Sequence, residues 1–193
     1  MENTQQSMWY FAYGANMSSG VFEGRRRMRA LDKRTGRLDG YRLAFNQPGI
    51  PWIEPAFANI RSDSEGEVHG VLWKISAEDF ATLDLQEGGG DAYERLTVQV
   101  DTALGAVEAY TYITHNVIPG LKPSGRYLDL LIGGARDVGL DSSYIAVLES
   151  THFHDFPGLR RFSPFFMRVM EKAFERGLNP KILFDFYWNR RRN

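Results

Sequence analysis

The sequence predicts an α+β domain, a mixed sheet with helices between and after its strands, and three observations carry that reading. Short runs at residues 9–13, 41–45, 57–60 and 68–75 have the length and the aromatic or β-branched content of strands. The alternating run 96–100 and its return 107–114 are joined by a short turn at Leu104-Gly105, the spacing of a hairpin. Residues 76–88 and 127–139 instead keep helical spacing between start and stop signals. Hairpin pairing with interspersed helices argues against a doubly wound sheet.

Trp9, Tyr10, Phe11, Ala12 and Tyr13 form a five-residue apolar run suited to a strand buried on both faces. It ends abruptly at Gly14, which permits a tight turn, and Ala15, which leaves the backbone open to close approach. Ser18 or Ser19 can then N-cap a helix through Val21, Phe22, Met28 and Leu31, extended over residues 23–34 with Arg25, Arg26, Arg27 and Arg29 mostly facing water. A strand emptying into free N–H groups before a helix can hold a carboxylate, an amide oxygen or a phosphate. The same pattern also fits a plain strand-turn-helix connection.

Tyr41, Leu43 and Phe45 alternate as a half-buried strand, whereas Pro48, Gly49, Pro51 and Pro55 predict a loop that borders the site. Residues 57–60 read as a short strand, Ser64-Glu65-Gly66 as a turn, and residues 68–75 as a central strand in which His69 is an ordinary strand side chain.

Ser76 is a good N-cap with an acid three residues on, and Gly88-Gly89-Gly90 supplies the stop, so a short helix is bracketed at both ends. Phe80 and Leu83 set its buried face. Glu87 stands seven residues after Phe80 and four after Leu83, on that apolar stripe. Burial and the negative end of the helix dipole both disfavour a carboxylate there, raising its pKa toward that of a working general base. The alternative is a last-turn glutamate that bends to solvent.

Beyond it, Leu96, Val98 and Val100 face one way, while Tyr93, Arg95, Thr97 and Gln99 give their strand a polar or site-facing side. Tyr127, Leu130, Leu131, Gly134, Ala135 and Val138 follow helical spacing until Gly139 ends it. Ser163-Pro164 opens an amphipathic helix through Phe165, Phe166, Val169, Met170 and Phe174, and aromatics crowd at Phe184, Phe186, Tyr187 and Trp188. That end reads as further core in preference to a lid or a homodimer contact. His152-Phe153-His154-Asp155 is too sparse for a metal site.

At 193 residues with 43% hydrophobic content the chain suits a single domain, residues 1–193, with one core. Its 23 basic and 24 acidic residues leave a formal charge of -1, and the arginine cluster lacks interleaved aromatics, so neither nucleic acid nor a membrane surface is an expected partner. The absence of cysteine removes disulfides and thiolate chemistry. A polar start without a cationic n-region, and the lack of a long apolar segment, predict a cytoplasmic location.

Two stretches together resemble the γ-glutamylcyclotransferase family. Residues 10–17, Tyr-Phe-Ala-Tyr-Gly-Ala-Asn-Met, are similar to that family's Tyr-Phe-Ala-Tyr-Gly-Ser-Asn-(Leu/Met) substrate loop, with Ala15 where serine is usual. Residues 83–88, Leu-Asp-Leu-Gln-Glu-Gly, are similar to its catalytic segment, in which the glutamate before glycine carries the proton. The match extends through Ala58-Asn59-Ile60, residues 70–73, Tyr93, residues 110–112, Tyr127 and Gly134-Ala135. It covers residues 8–145 and leaves 146–193 as a helical extension. The resemblance implies a small, partly closed barrel with flanking helices and no cofactor. It implies cyclisation of a γ-glutamyl substrate to 5-oxoproline, with Glu87 as the proton carrier. It implies substrate contacts from Tyr10, Phe11, Ala12, Tyr13, Gly14, Ala15, Asn16, Tyr93 and Tyr127. Asn16 separates the loop from the glutathione-specific branch and points to γ-glutamyl amino acids or γ-glutamyl amines. A γ-glutamylamine enzyme of secondary metabolism and a non-catalytic binding module are the competing readings.

Overall fold

The aromatic and β-branched runs do pair as strands, and they close on themselves. The computed structural model describes residues 6–50, 53–87 and 93–154. Strands β1 (Ser7–Ala12), β2 (Asp32–Ile50), β3 (Glu54–Ser76), β4 (Glu94–Thr102) and β5 (Gly105–Ile113) form a closed barrel in the order β1-β3-β2-β4-β5. The ladders are antiparallel except at the seam, where β1 meets β5 in parallel at Tyr10 and Tyr110.

β1 lies in the barrel because Gly70 of β3 has no side chain. A Cβ there would stand 2.3 Å from the Ala12 carbonyl oxygen and 2.8 Å from the Phe11 ring. Inside, Phe22 stacks on Trp73 at 4.8 Å and on Tyr10 at 5.8 Å, a column that ties the chain after β1 to β3.

Helix α1 (Ala77–Gln86) starts as its sequence indicates: the Ser76 hydroxyl accepts the Asp79 N–H at 3.1 Å, and Phe80 and Leu83 are buried. Helix α2 (Gly125–Asp137) is capped by Ser124, which accepts the Tyr127 N–H at 3.0 Å, and stops before Gly139 at φ 72°. Gly134 lets α2 touch the turn after β1, since a Cβ there would lie 2.9 Å from the Ser18 nitrogen. Helix α3 (Ser142–Glu149) packs Tyr144 and Leu148 into the core. The core therefore runs past residue 145, the end of the resemblance.

Three local readings are corrected. The helix expected through residue 34 is a 3-10 turn at Ala15–Met17 and a π-helical stretch at Gly20–Arg25, after which Arg27 at φ 57° turns the chain into β2. Val21, Phe22 and Met28 are buried as expected, but Leu31 is 52% exposed, and pairing with β3 from Asp32 onward overrides helix propensity. Arg25, Arg27 and Arg29 are exposed and Arg26 is half-buried, so the cluster mostly faces water as expected. The proline-rich loop is shorter than expected, because Pro48 continues β2 beside a register shift and Pro55 belongs to β3. The turn read at Ser64-Glu65-Gly66 is a bulge inside β3, where the ladder steps from Asp39–Glu67 to Tyr41–Ser62 across Gly40 at φ 79°. The features read at Ser163-Pro164 and Phe184–Trp188 lie outside the described residues.

Candidate active site

β1 delivers the loop and α1 delivers the acid. After Ala12 the chain leaves the barrel into the 3-10 turn, where the Gly14 and Ala15 carbonyls accept the N–H groups of Met17 and Ser18 at 3.0 and 3.2 Å. The N–H groups ahead of them have no partner within the turn. Asn16 is buried, and its carbonyl takes the Trp73 indole N–H at 2.9 Å. The Asn16 amide then donates to the Tyr10 hydroxyl at 3.0 Å and to Glu87 Oε1 at 3.3 Å. Its own oxygen is buried without a partner among the described residues.

Glu87 caps the C-terminus of α1, with its N–H on the Leu83 carbonyl at 2.9 Å and 9% of its surface exposed. The carboxylate turns inward, as its place on the apolar stripe indicates, and not to solvent. Its Oε1 also meets Arg26 Nη2 at 2.8 Å. Burial raises the Glu87 carboxyl above the ordinary range, and Arg26 and then Asn16 draw it part of the way back.

The tyrosines around it stay neutral phenols. Burial, followed by the Glu87 charge, pushes the Tyr10 phenol up, and burial likewise raises Tyr13, Tyr93 and Tyr127. The Tyr13 hydroxyl donates to the Tyr112 carbonyl at 2.5 Å, and that of Tyr93 to Gln47. The Tyr127 hydroxyl accepts the Ala58 N–H at 3.2 Å, and a Cβ on Gly14 would lie 3.4 Å from it. Tyr127 therefore floors the loop from the α2 side.

The nine loop and tyrosine positions named from the sequence do not all do the same work. Tyr10, Asn16 and Glu87 form one hydrogen-bonded group, and Tyr127 lies against Gly14. Phe11 and Ala12 are barrel residues: Phe11 is fully buried, and its carbonyl accepts the Thr111 hydroxyl at 2.9 Å. Gly14 has φ -113°, so its backbone does not require glycine, and a Cβ there would sit in contact with the Tyr127 hydroxyl and Ala58.

Sequence reasoning missed two features. One is Arg26, which no local pattern distinguishes from its arginine neighbours. The other is Glu54, a completely buried carboxylate held by Arg126 and by the Ser124 hydroxyl. Burial raises its pKa, and Arg126 and Ser124 oppose the rise. An acid amid the apolar residues of 53–58 is the signal that could have flagged it. Because Ser124 caps α2 and Tyr127 is in its first turn, this pair fixes the end of the helix that supports the site. Among the described residues, no group of three or more His, Asp or Glu side chains is placed to hold a metal ion.

The fold and the site define a closed barrel whose first loop faces a buried glutamate through an asparagine amide. Residues 67–148 match the family model described as AIG2-like. The chain is 34% identical over 147 residues to "Gamma-glutamyl cyclotransferase gliK" of Claviceps purpurea, covering 66% of this chain and 63% of that one. It is 29% identical over 160 residues to "Gamma-glutamylcyclotransferase" of Bos taurus, covering 79% of this chain and 83% of that one. A solved structure titled "Gamma-glutamyl cyclotransferase" superposes with a TM-score of 0.72 at 28% identity, over 79% of this chain and 92% of that one. In sequence and in fold the chain is thus similar to the AIG2-like, γ-glutamyl cyclotransferase family. It spans 63% of the length of the Claviceps relative.

Proposed function

We propose that the chain cyclises a γ-glutamyl group to 5-oxoproline, releasing the amine or amino acid attached to it. The observation that carries this reading is Glu87, a buried carboxylate 3.3 Å from the amide of Asn16, which belongs to the loop after β1. The α-nitrogen of the substrate attacks its own side-chain carbonyl carbon. A C–N bond forms there, and the bond to the leaving nitrogen breaks as the oxyanion collapses. Two protons leave the α-nitrogen and two reach the leaving nitrogen, so one carboxylate that accepts and returns protons closes the balance.

In this reading Glu87 is that carrier, and the N–H groups at the start of the 3-10 turn hold the oxygens of the glutamyl unit. Tyr10 and Asn16 orient the carboxylate, while Tyr127 presents its hydroxyl beside Gly14. Holding the substrate in a ring-closing conformer supplies much of the acceleration, since oriented intramolecular attack is worth about 7–11 kcal/mol. No cofactor enters the balance.

The relatives' names support the reaction class and leave the leaving group open. The test is release of 5-oxoproline across a panel of γ-glutamyl amino acids and γ-glutamyl amines, with the Glu87→Gln variant as control. Turnover confined to amines would place the chain with secondary-metabolite finishing. Tight binding of panel members without any release would make it a binding module.

A further inference from the structure

Arg26 is read as a surface charge from sequence, yet its guanidinium makes the only ion pair to Glu87 among the described residues. Two features hold it there. Its N–H bonds the Val21 carbonyl at 2.9 Å, five residues back, so the π-helical turn sets where the side chain leaves the backbone. It is also gripped by the residue before Glu87: Arg26 Nη1 donates to Gln86 Oε1 at 3.3 Å, and Gln86 Nε2 donates to the Arg26 carbonyl at 3.4 Å. The guanidinium is thus clamped to the last turn of α1, with 27% of its side chain exposed, at the solvent side of a carboxylate that is 10% exposed.

We propose that Arg26 is a positioning residue for the proposed cyclisation, a clamped cation that keeps Glu87 ionised and aimed at the loop after β1 until substrate arrives. This rests on the reading of Glu87 as the proton carrier. The groups that face Glu87 leave Arg26 as the charge able to do this. Asn16 offers a neutral amide from the 3-10 turn, and Tyr10 on β1, Tyr112 on β5, Tyr93 before β4 and Tyr127 on α2 are phenols held above their ordinary range. A neutral phenol orients a carboxylate but does not offset its charge. Lysine in place of Arg26 would keep the charge and lose the two-sided grip.

The test follows the Glu87 side-chain carboxyl by carbon NMR in the full chain labelled with [5-13C]glutamate, its signal assigned from its loss in Glu87→Gln. In Arg26→Gln the titration moves to higher pH, because the ionised form has lost its cation. In Arg26→Lys it stays nearer the wild type. Wherever turnover is measurable, kcat/KM of Arg26→Gln on the acid side falls roughly tenfold, the lower end of what one opposite charge at contact distance produces.

A Glu87 titration in folded Arg26→Gln that coincides with wild type overturns the proposal. Should Arg26→Gln not fold, Gln86→Leu serves instead: it keeps the charge but releases the grip, and an unmoved titration there overturns the proposal equally. If wild-type protein releases no 5-oxoproline from any panel compound, the cyclisation reading fails while the titration still decides whether Arg26 governs Glu87.

Discussion

Tyr127→Phe separates what the Tyr127 hydroxyl does for the fold from what it does for a substrate. The oxygen accepts the buried Ala58 N–H at 3.2 Å, and the hydroxyl proton has no acceptor among the described residues. Phenylalanine keeps the ring, with its edge contacts to Phe57 at 5.3 Å and Phe45 at 6.4 Å, and keeps the backbone N–H that Ser124 caps. The loss to stability is then that of the buried Ala58 N–H left unmet, about 1–3 kcal/mol, with Ala15 also losing its backbone contact to the oxygen. For a chain of this length that lowers Tm by about 2–12 °C, readable by circular dichroism. The free proton predicts a second effect, because a substrate oxygen beside Gly14 loses one donor. KM rises by the worth of one hydrogen bond, about 0.5–3 kcal/mol, while kcat changes less. An unchanged Tm would refute the structural half of this reasoning. An unchanged KM on a verified substrate would remove Tyr127 from the site.

Glu87→Gln keeps shape and hydrogen bonding but cannot carry a proton, so 5-oxoproline release falls to background with the fold intact by circular dichroism; turnover equal to wild type would sink the assignment. Because burial raises the Glu87 carboxyl above its ordinary 4.5 and the ionised form is the base, kcat/KM climbs with pH through a limb above 4.5, and a limb at or below it contradicts the site as drawn. Gly14→Val drives methyl groups toward the Tyr127 hydroxyl, already 3.4 Å from a bare Cβ, and weakens 5-oxoproline binding by calorimetry, whereas Ala15→Ser leaves it nearly unchanged. Glu54→Ala strands Arg126, whose side chain is 18% exposed, and costs about 3 kcal/mol in chemical denaturation, the lower end for a broken buried pair.

Local chemistry made the strands and helix ends legible. The alternation around Val98 and Val100, the Ser76 cap and the Gly139 stop act within a few residues, and each appears where the sequence places it. The inward turn of Glu87 was legible for the same reason, since a helix stripe fixes direction. The stretch after Ser19 was not. Its apolar spacing fits an α-helix as well as it fits a π-turn leading to a strand, and only the ladder partners on β3 decide between them. Arg26 and Glu54 were hidden because their partners, Glu87 and Arg126, are distant in sequence, and no local pattern encodes an ion pair formed by packing.

The seam between β1 and β5 gives the site a place in time. Its contacts join Phe11 to Thr111 across 100 residues and Tyr13 to Tyr112 across 99. Contacts of that separation require a long loop to close before they stabilise anything, so they form slowly. The β2–β3 and β4–β5 hairpins need no such closure. Asn16 reaches Glu87, 71 residues away, only once β1 has entered between β3 and β5. A refolding chain is therefore expected to recover its sheet signal first and, on the proposed function, its turnover last, as the first strand locks into place.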